Sequence, residues 1–321
     1  MTTVVENIGS SIYQEMMYHL KNDINYIKKI PVKMQTEEMA LYVIENNINL
    51  FKHVKFQNEK VSLEAVKHNS ELIRYITNPS KKVQKLAIQK APSNLQYIKE
   101  PAEEICKLAL EQNGACLQYI DKQTDLLCEI AVTITPAALQ YVKKQTPMIC
   151  SLAVSKDGNM LQYVKEQTEN ICLKAVAQNG LALRFVKKAT PLLLETAIKE
   201  NGLALQYVKN QNEPLCLYAV FNNPLAIKYV KKQTLPIKLL AVKKNGMILR
   251  FIKEQTEEIC LEALKQNPDS LQYIKEKTPL YKAEAIKYSL LNWKNDKDYL
   301  AKLTDNKLKK AVLKVLATKI N

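Results

Sequence analysis

Glycine is scarce in this chain, six among 321 residues, against a usual share of about 7%. That leaves little room for the Gly-rich loops that cradle phosphates. Histidine is scarcer still: His19, His53 and His68, none with a Ser, Cys or carboxylate partner at a recognisable catalytic spacing. P-loop, HExxH and GxSxG signatures are all missing. The expectation is therefore a non-enzymatic protein with no cofactor. Seven cysteines contain no CxxC and no His-spaced pair, so no metal site is expected either. No apolar run approaches 18 residues, and the N-terminus lacks a basic-then-apolar leader pattern, so neither a membrane partner nor secretion is expected. Unpaired cysteines suit a reducing, cytoplasmic compartment. With 47% apolar and 25% charged residues, the composition is that of a folded chain.

What is abundant is repetition. An aromatic recurs every 22 residues at Tyr75, Tyr97, Tyr119, Tyr141, Tyr163, Phe185, Tyr207, Tyr229, Phe251 and Tyr273. Alanine keeps the same period from Ala65 to Ala285 without one insertion. Val43 and His53 continue the two series upstream, so a regular array spans residues 36–293. Periods of this size signal solenoids.

One repeat reads as two short helices. Between Thr256 and Gln272, Ile259/Ala263 and Cys260/Leu264 form i, i+4 pairs on one helical face. Thr256 stands where an N-cap belongs, with Glu257 and Glu258 in the first turn. Threonine recurs there at positions 124, 146, 168, 190, 234 and 278, and Pro147, Pro191 and Pro279 take the first helical position. Five glycines (Gly114, Gly158, Gly180, Gly202, Gly246) fall at one place after the first helix, where a left-handed C′ residue is expected. The second helix is shorter and buries pairs such as Leu271 and Ile274. The predicted fold class is all-α, an α-solenoid of about twelve 22-residue two-helix repeats with capping helices at both ends. Residues 1–35 hold a degenerate capping repeat (Ile24, Tyr26, Ile27) and residues 294–321 a basic amphipathic cap with Leu308, Val312 and Val315 on one side.

The motif Ala-Val-Lys-x-Asn-Gly followed by Leu-Gln-Tyr-Val-Lys, clearest over residues 171–209, resembles the helical repeats of the family called domain of unknown function 4116. That resemblance covers most of the chain. It implies a helical-repeat protein of the kind encoded by giant viruses, phages, protists and intracellular bacteria, and it brings no catalytic residues.

Several residue rows follow from the period. Cys106, Cys128, Cys150, Cys172, Cys216 and Cys260 share one position. Neighbouring copies lie too far apart for a disulfide, so they read as small buried packing residues. The asparagine row (Asn47 to Asn267) reads as helix-end capping, the aromatic row as half-buried rings. A lysine row (Lys99, Lys143, Lys165, Lys187, Lys209, Lys231, Lys253, Lys275) is either a track for a polyanion or a set of cations on helix C-termini. With +5 in residues 294–321 and +1 in residues 1–35, the array keeps +9 of the net +15. That is under one charge per repeat and favours the second reading. The chain's three arginines, Arg74, Arg184 and Arg250, share one repeat position with Gln96, Gln118, Gln140, Gln162, Gln206 and Gln272 or Lys52 and Lys228. Arg and Gln both offer planar donors. The expected partner-binding face is Arg184, Lys187, Gln206, Lys209, Lys228, Lys231, Arg250 and Lys253. The expected function is a protein-binding scaffold or adaptor gripping another protein; the alternative is a nucleic-acid-binding solenoid using its Lys/Arg rows.

Overall fold

A computed structural model describes the backbone of residues 2–296 and 298–320 and the side chains of residues 11–296 and 298–317. Among the described residues every regular element is helical. The chain forms two compact units, Met1–Ala153 and Val154–Asn321, and within each the repeats stack one on the next as an all-α solenoid.

Each repeat pairs a ten-residue α-helix with a six-residue 3-10 helix, as in Glu257–Gln266 followed by Pro268–Tyr273. The α-helix starts where the threonine series places it: Thr256 Oγ1 accepts the Ile259 N–H, and Asn212 does the same for Leu215 at 2.9 Å. Such caps stabilise a helix by about 1 kcal/mol each. Ile259, Cys260, Ala263 and Leu264 are all buried, which makes the i, i+4 stripe the inward face. The helix stops at Asn267, whose extended backbone turns the chain while its N–H reaches back to Ala263 O at 2.8 Å. The Asn267 side chain then accepts the Asp269 N–H at 3.0 Å and so opens the second helix. Asn47, Asn69, Asn113, Asn179, Asn201, Asn223 and Asn245 repeat that bond. Six residues between this cap and an extended Ile or Val leave room only for i→i+3 bonds. The second helix is therefore 3-10.

The glycines play another part than the left-handed one expected: none has positive φ. They permit close approach. A Cβ on Gly202 would lie 2.3 Å from the Ala219 carbonyl oxygen of the following repeat, and one on Gly114 would lie 2.1 Å from Ala131 O. The glycine amide is then claimed by a side chain twenty or so residues on. Gly202 N–H donates to Asn222 Oδ1 (2.9 Å), Gly158 to Gln178 Oε1 (2.6 Å), Gly114 to Thr135 Oγ1 (3.1 Å) and Gly180 to Glu200. Where proline stands instead there is no N–H to satisfy, and the residue twenty on need not accept: Gln112 after Pro92 donates to Ile88 O and Leu108 O, and Lys244 after Pro224 turns its ammonium onto the Phe221 ring at 3.8 Å.

Successive repeats are also joined by a glutamine just before the threonine cap. Gln211 Nε2 donates to Leu205 O (3.4 Å) and to Tyr229 O of the next repeat (2.9 Å), while its Oε1 accepts the Lys231 N–H (2.9 Å). Gln123, Gln167 and Gln255 make the same three bonds. Main-chain groups at the junction are thereby satisfied.

At the C-terminal end the half-buried last helix, Asn306–Ile320, buries Leu308 and Val312. Its approach is fixed by Asp269, a buried carboxylate that accepts from Thr304 N–H (2.9 Å), Thr304 Oγ1–H (3.0 Å) and Asp305 N–H (3.1 Å). At the other end, Thr2–Asn22 leads into the 3-10 turns Ile24–Lys28 and Val32–Met34, the degenerate copy and its insertion.

Candidate functional site: a basic groove in the second unit

All eight residues of the predicted face, Arg184, Lys187, Gln206, Lys209, Lys228, Lys231, Arg250 and Lys253, are exposed and belong to the second unit. They do different things. Gln206 folds back, donating to Leu203 O three residues earlier at 3.1 Å, and Gln96, Gln118, Gln140 and Gln272 do likewise. The glutamine row serves its own helices. The arginines lie over aromatic rings instead: Arg184 over Phe185 (4.5 Å) and Arg250 over Phe251 (4.6 Å). Arg184 also donates to Asn159 Oδ1 at 3.1 Å. In the first unit Arg74 is neutralised by Glu71 at 2.7 Å.

The lysine row falls just past the 3-10 helix rather than in its last turn, so the dipole account does not hold. Lys187 and Lys231 instead donate their ammonium groups to the main-chain carbonyls of Lys165 (2.9 Å) and Lys209 (2.5 Å), one repeat back, and Lys275 does so to Lys253. The ammonium groups of Lys209 and Lys253 make no hydrogen bond or ion pair among the described residues.

Four of the eight converge. Lys228, Lys231, Arg250 and Lys253 line one groove of about 730 Å³ together with Lys232, Lys238, Lys275 and the Phe251 ring. It holds seven cationic side chains and a single carboxylate, Glu254. Arg184, Lys187, Gln206 and Lys209 belong to earlier repeats and lie outside it. Lys228 Nζ sits 4.3 Å from the centre of the Phe251 ring, which Arg250 also covers. Both cations are drawn to the ring's electron-rich faces.

Lys238 stands at the repeat position that Cys216 and Cys260 fill in the neighbouring repeats. The thiols at its position are buried, and burial pushes the Cys106, Cys128, Cys172, Cys216 and Cys260 values up. Cys216 points its thiol at Gln211 Oε1, 3.7 Å away. Lys238, only 7% exposed, brings a long amine-bearing side chain into the same place. Its ammonium reaches Glu254 Oε2 (3.1 Å) and Glu254 O (3.4 Å). Desolvating an ammonium costs several kcal/mol, and one carboxylate rarely offsets it. The junction around it is altered as well. Gln233 keeps its bonds to Ile227 O (3.1 Å) and Phe251 O (3.4 Å). Yet the Lys253 N–H, which should complete the clamp, makes no hydrogen bond among the described residues.

Among the described residues no helix is long and apolar enough to cross a membrane. Residues 237–277, which contain Lys238, Arg250, Lys253 and Lys275, match the family model described as Domain of unknown function (DUF4116). No curated protein and no solved structure matches the chain.

Proposed function

We propose that the chain is a non-enzymatic scaffold that holds another protein, and that the second unit receives an acidic segment of that partner along Arg184, Lys187, Lys209, Lys231, Arg250 and Lys253. One observation carries the reading: these cations sit on consecutive repeats at a fixed spacing, exposed, and without carboxylate partners among the described residues. A repeated backbone presenting a repeated charge suits an extended ligand. A nucleic-acid strand is less well served. Base stacking needs open aromatic faces, and those of Phe185 and Phe251 are taken by Arg184, Arg250 and Lys228.

The test is fluorescence anisotropy with a labelled oligoglutamate peptide and a labelled DNA duplex of equal charge. The parent binds the peptide, and replacing Arg184, Lys187, Arg250 and Lys253 together by Ala weakens it at least tenfold, about 1.4 kcal/mol, while folding is retained because exposed substitutions change stability by only about 0.5 kcal/mol each. Preference for the duplex, with an affinity that falls steeply with salt, assigns the rows to nucleic acid. Equal binding by parent and variant removes this face.

A further inference from the structure

We propose that the groove around Lys238 is a binding site for a compact, soluble oligophosphate, one anion carrying several phosphate groups. The proposal goes beyond the protein-partner reading: it concerns a small ligand and the bottom of one groove rather than the row along the repeats.

Charge imbalance comes first. Seven cations face one carboxylate across a groove of about 730 Å³, and like charges held that close repel one another unless a counter-anion enters. Surface salt screens this only partly, because the base of the groove is shielded from water. Second is the depth of the charge. Lys238 stands where six other repeats carry cysteine and another carries Leu194, so the fold has no need of an ammonium there. Its one anionic partner, the Glu254 side chain, is 87% exposed and can swing away when a stronger anion arrives.

Third is the unmade bond. Lys253 N–H belongs to the groove's own wall, and the glutamine bond that serves its counterparts Lys143, Lys187, Lys231 and Lys275 is missing there. A phosphate offers several acceptor oxygens at once and suits a site that mixes ammonium groups, a guanidinium and a free amide. Fourth, both cations over Phe251 deny the ring to a flat base or sugar, which leaves phosphate itself as the recognised group.

The experiment is calorimetric titration of the full chain with inorganic tripolyphosphate at about 0.15 M salt, with sulfate and a single-stranded oligonucleotide as comparison probes. One tripolyphosphate per chain is expected. Lys238→Cys, which installs the residue that six sister repeats already hold, should weaken binding at least tenfold while leaving the thermal midpoint unchanged or higher. Glu254→Gln, which removes the competing carboxylate, should tighten binding by roughly threefold or more. The inference is overturned if the parent does not bind at that salt, if Lys238→Cys binds as well as the parent, if sulfate binds as tightly, or if the oligonucleotide outcompetes tripolyphosphate. Oligoglutamate binding on the same samples separates the two readings. Lys238→Cys leaves it intact if the row reading holds, whatever becomes of tripolyphosphate.

Discussion

The groove around Lys238 has a counterpart in the first unit, built from the same repeat positions. There Gln96, Lys99, Glu100, Cys106, Tyr119, Asp121 and Lys122 line a space of about 750 Å³, where the second unit has Lys228, Lys231, Lys232, Lys238, Phe251, Lys253 and Glu254 around about 730 Å³. The spaces are nearly equal; the charges are opposed. In the first groove Glu100, Glu103 and Asp121 outnumber Lys99 and Lys122. The acids are also occupied, Glu100 with Lys122 at 4.0 Å and Asp121 with Lys143 at 3.2 Å. Stacking 22-residue repeats makes a groove at equivalent junctions in the two units as a by-product of packing. A handful of rim positions then decides what that groove can hold, which is why fold and function separate so cleanly here.

Exchanging the rims should break the comparison most forcefully. Lys232→Glu, Lys238→Cys and Lys253→Asp together give the second groove the first one's residues at those three positions, and calorimetry should find tripolyphosphate binding reduced roughly thousandfold, ~4 kcal/mol. The reciprocal set, Glu100→Lys, Cys106→Lys and Asp121→Lys, should raise the stoichiometry from one to two.

A smaller effect concerns the glutamine clamp. Gln255→Ala removes three hydrogen bonds to main chain and should cost about 3 kcal/mol in urea unfolding, at roughly 1 kcal/mol per bond. Gln233→Ala removes two and should cost about 2. Equal losses would mean that the Lys253 amide bond is made after all. The first groove has Pro101 at this position and no clamp.

The next contrast is in the thiols, since the second groove has lost the cysteine that the first retains. In the first unit a second thiol, Cys116, is held by burial at about 11. Its folded value lies above the unfolded one, so the stability it contributes is intact below about pH 9 and is lost as pH rises from about 9 to about 11. Urea midpoints across that range should fall less in Cys116→Ala than in the parent. Iodoacetamide at pH 8 should modify native Cys116 roughly a hundredfold more slowly than the unfolded chain.

The smallest expected change sits on the first groove's rim. Glu100 has a positive φ of 46°, which crowds a side chain against its own backbone. Glu100→Gly should raise stability by about 1 kcal/mol or less. Asn78, at φ 51° one repeat earlier, should gain less from the same change, because asparagine tolerates that region.

The sequence carried the local half of this structure. Thr256, Pro191 and Asn267 announce helix boundaries because capping acts within three or four residues. The alanine and aromatic series announce the stacking because packing repeats with the period. Interactions between neighbouring repeats left no such trace. Gln211 looks like any polar loop residue until Tyr229 and Lys231, 18 and 20 residues on, come beside it. Gly202 has the spacing of a left-handed terminator, yet its reason for being glycine is Ala219 in the next repeat. The site divided the same way. Arg250 and Lys253 stood out as members of rows, whereas Lys238 mattered through Glu254, 16 residues away, and through a groove that only stacking creates.

The matched glycine junctions bear on how such a chain can be rearranged. Gly202 needs the oxygen of Asn222, and Pro224 tolerates Lys244. Each junction is a lock and key whose halves lie in adjacent modules. Excising 22 residues so that Gly202 met Lys244 in place of Asn222 would preserve the period, the helices and the hydrophobic stripe, and still leave an amide facing an ammonium. The modules are alike in shape but ordered by their seams, so copies can be added or lost only where both halves of a seam travel together.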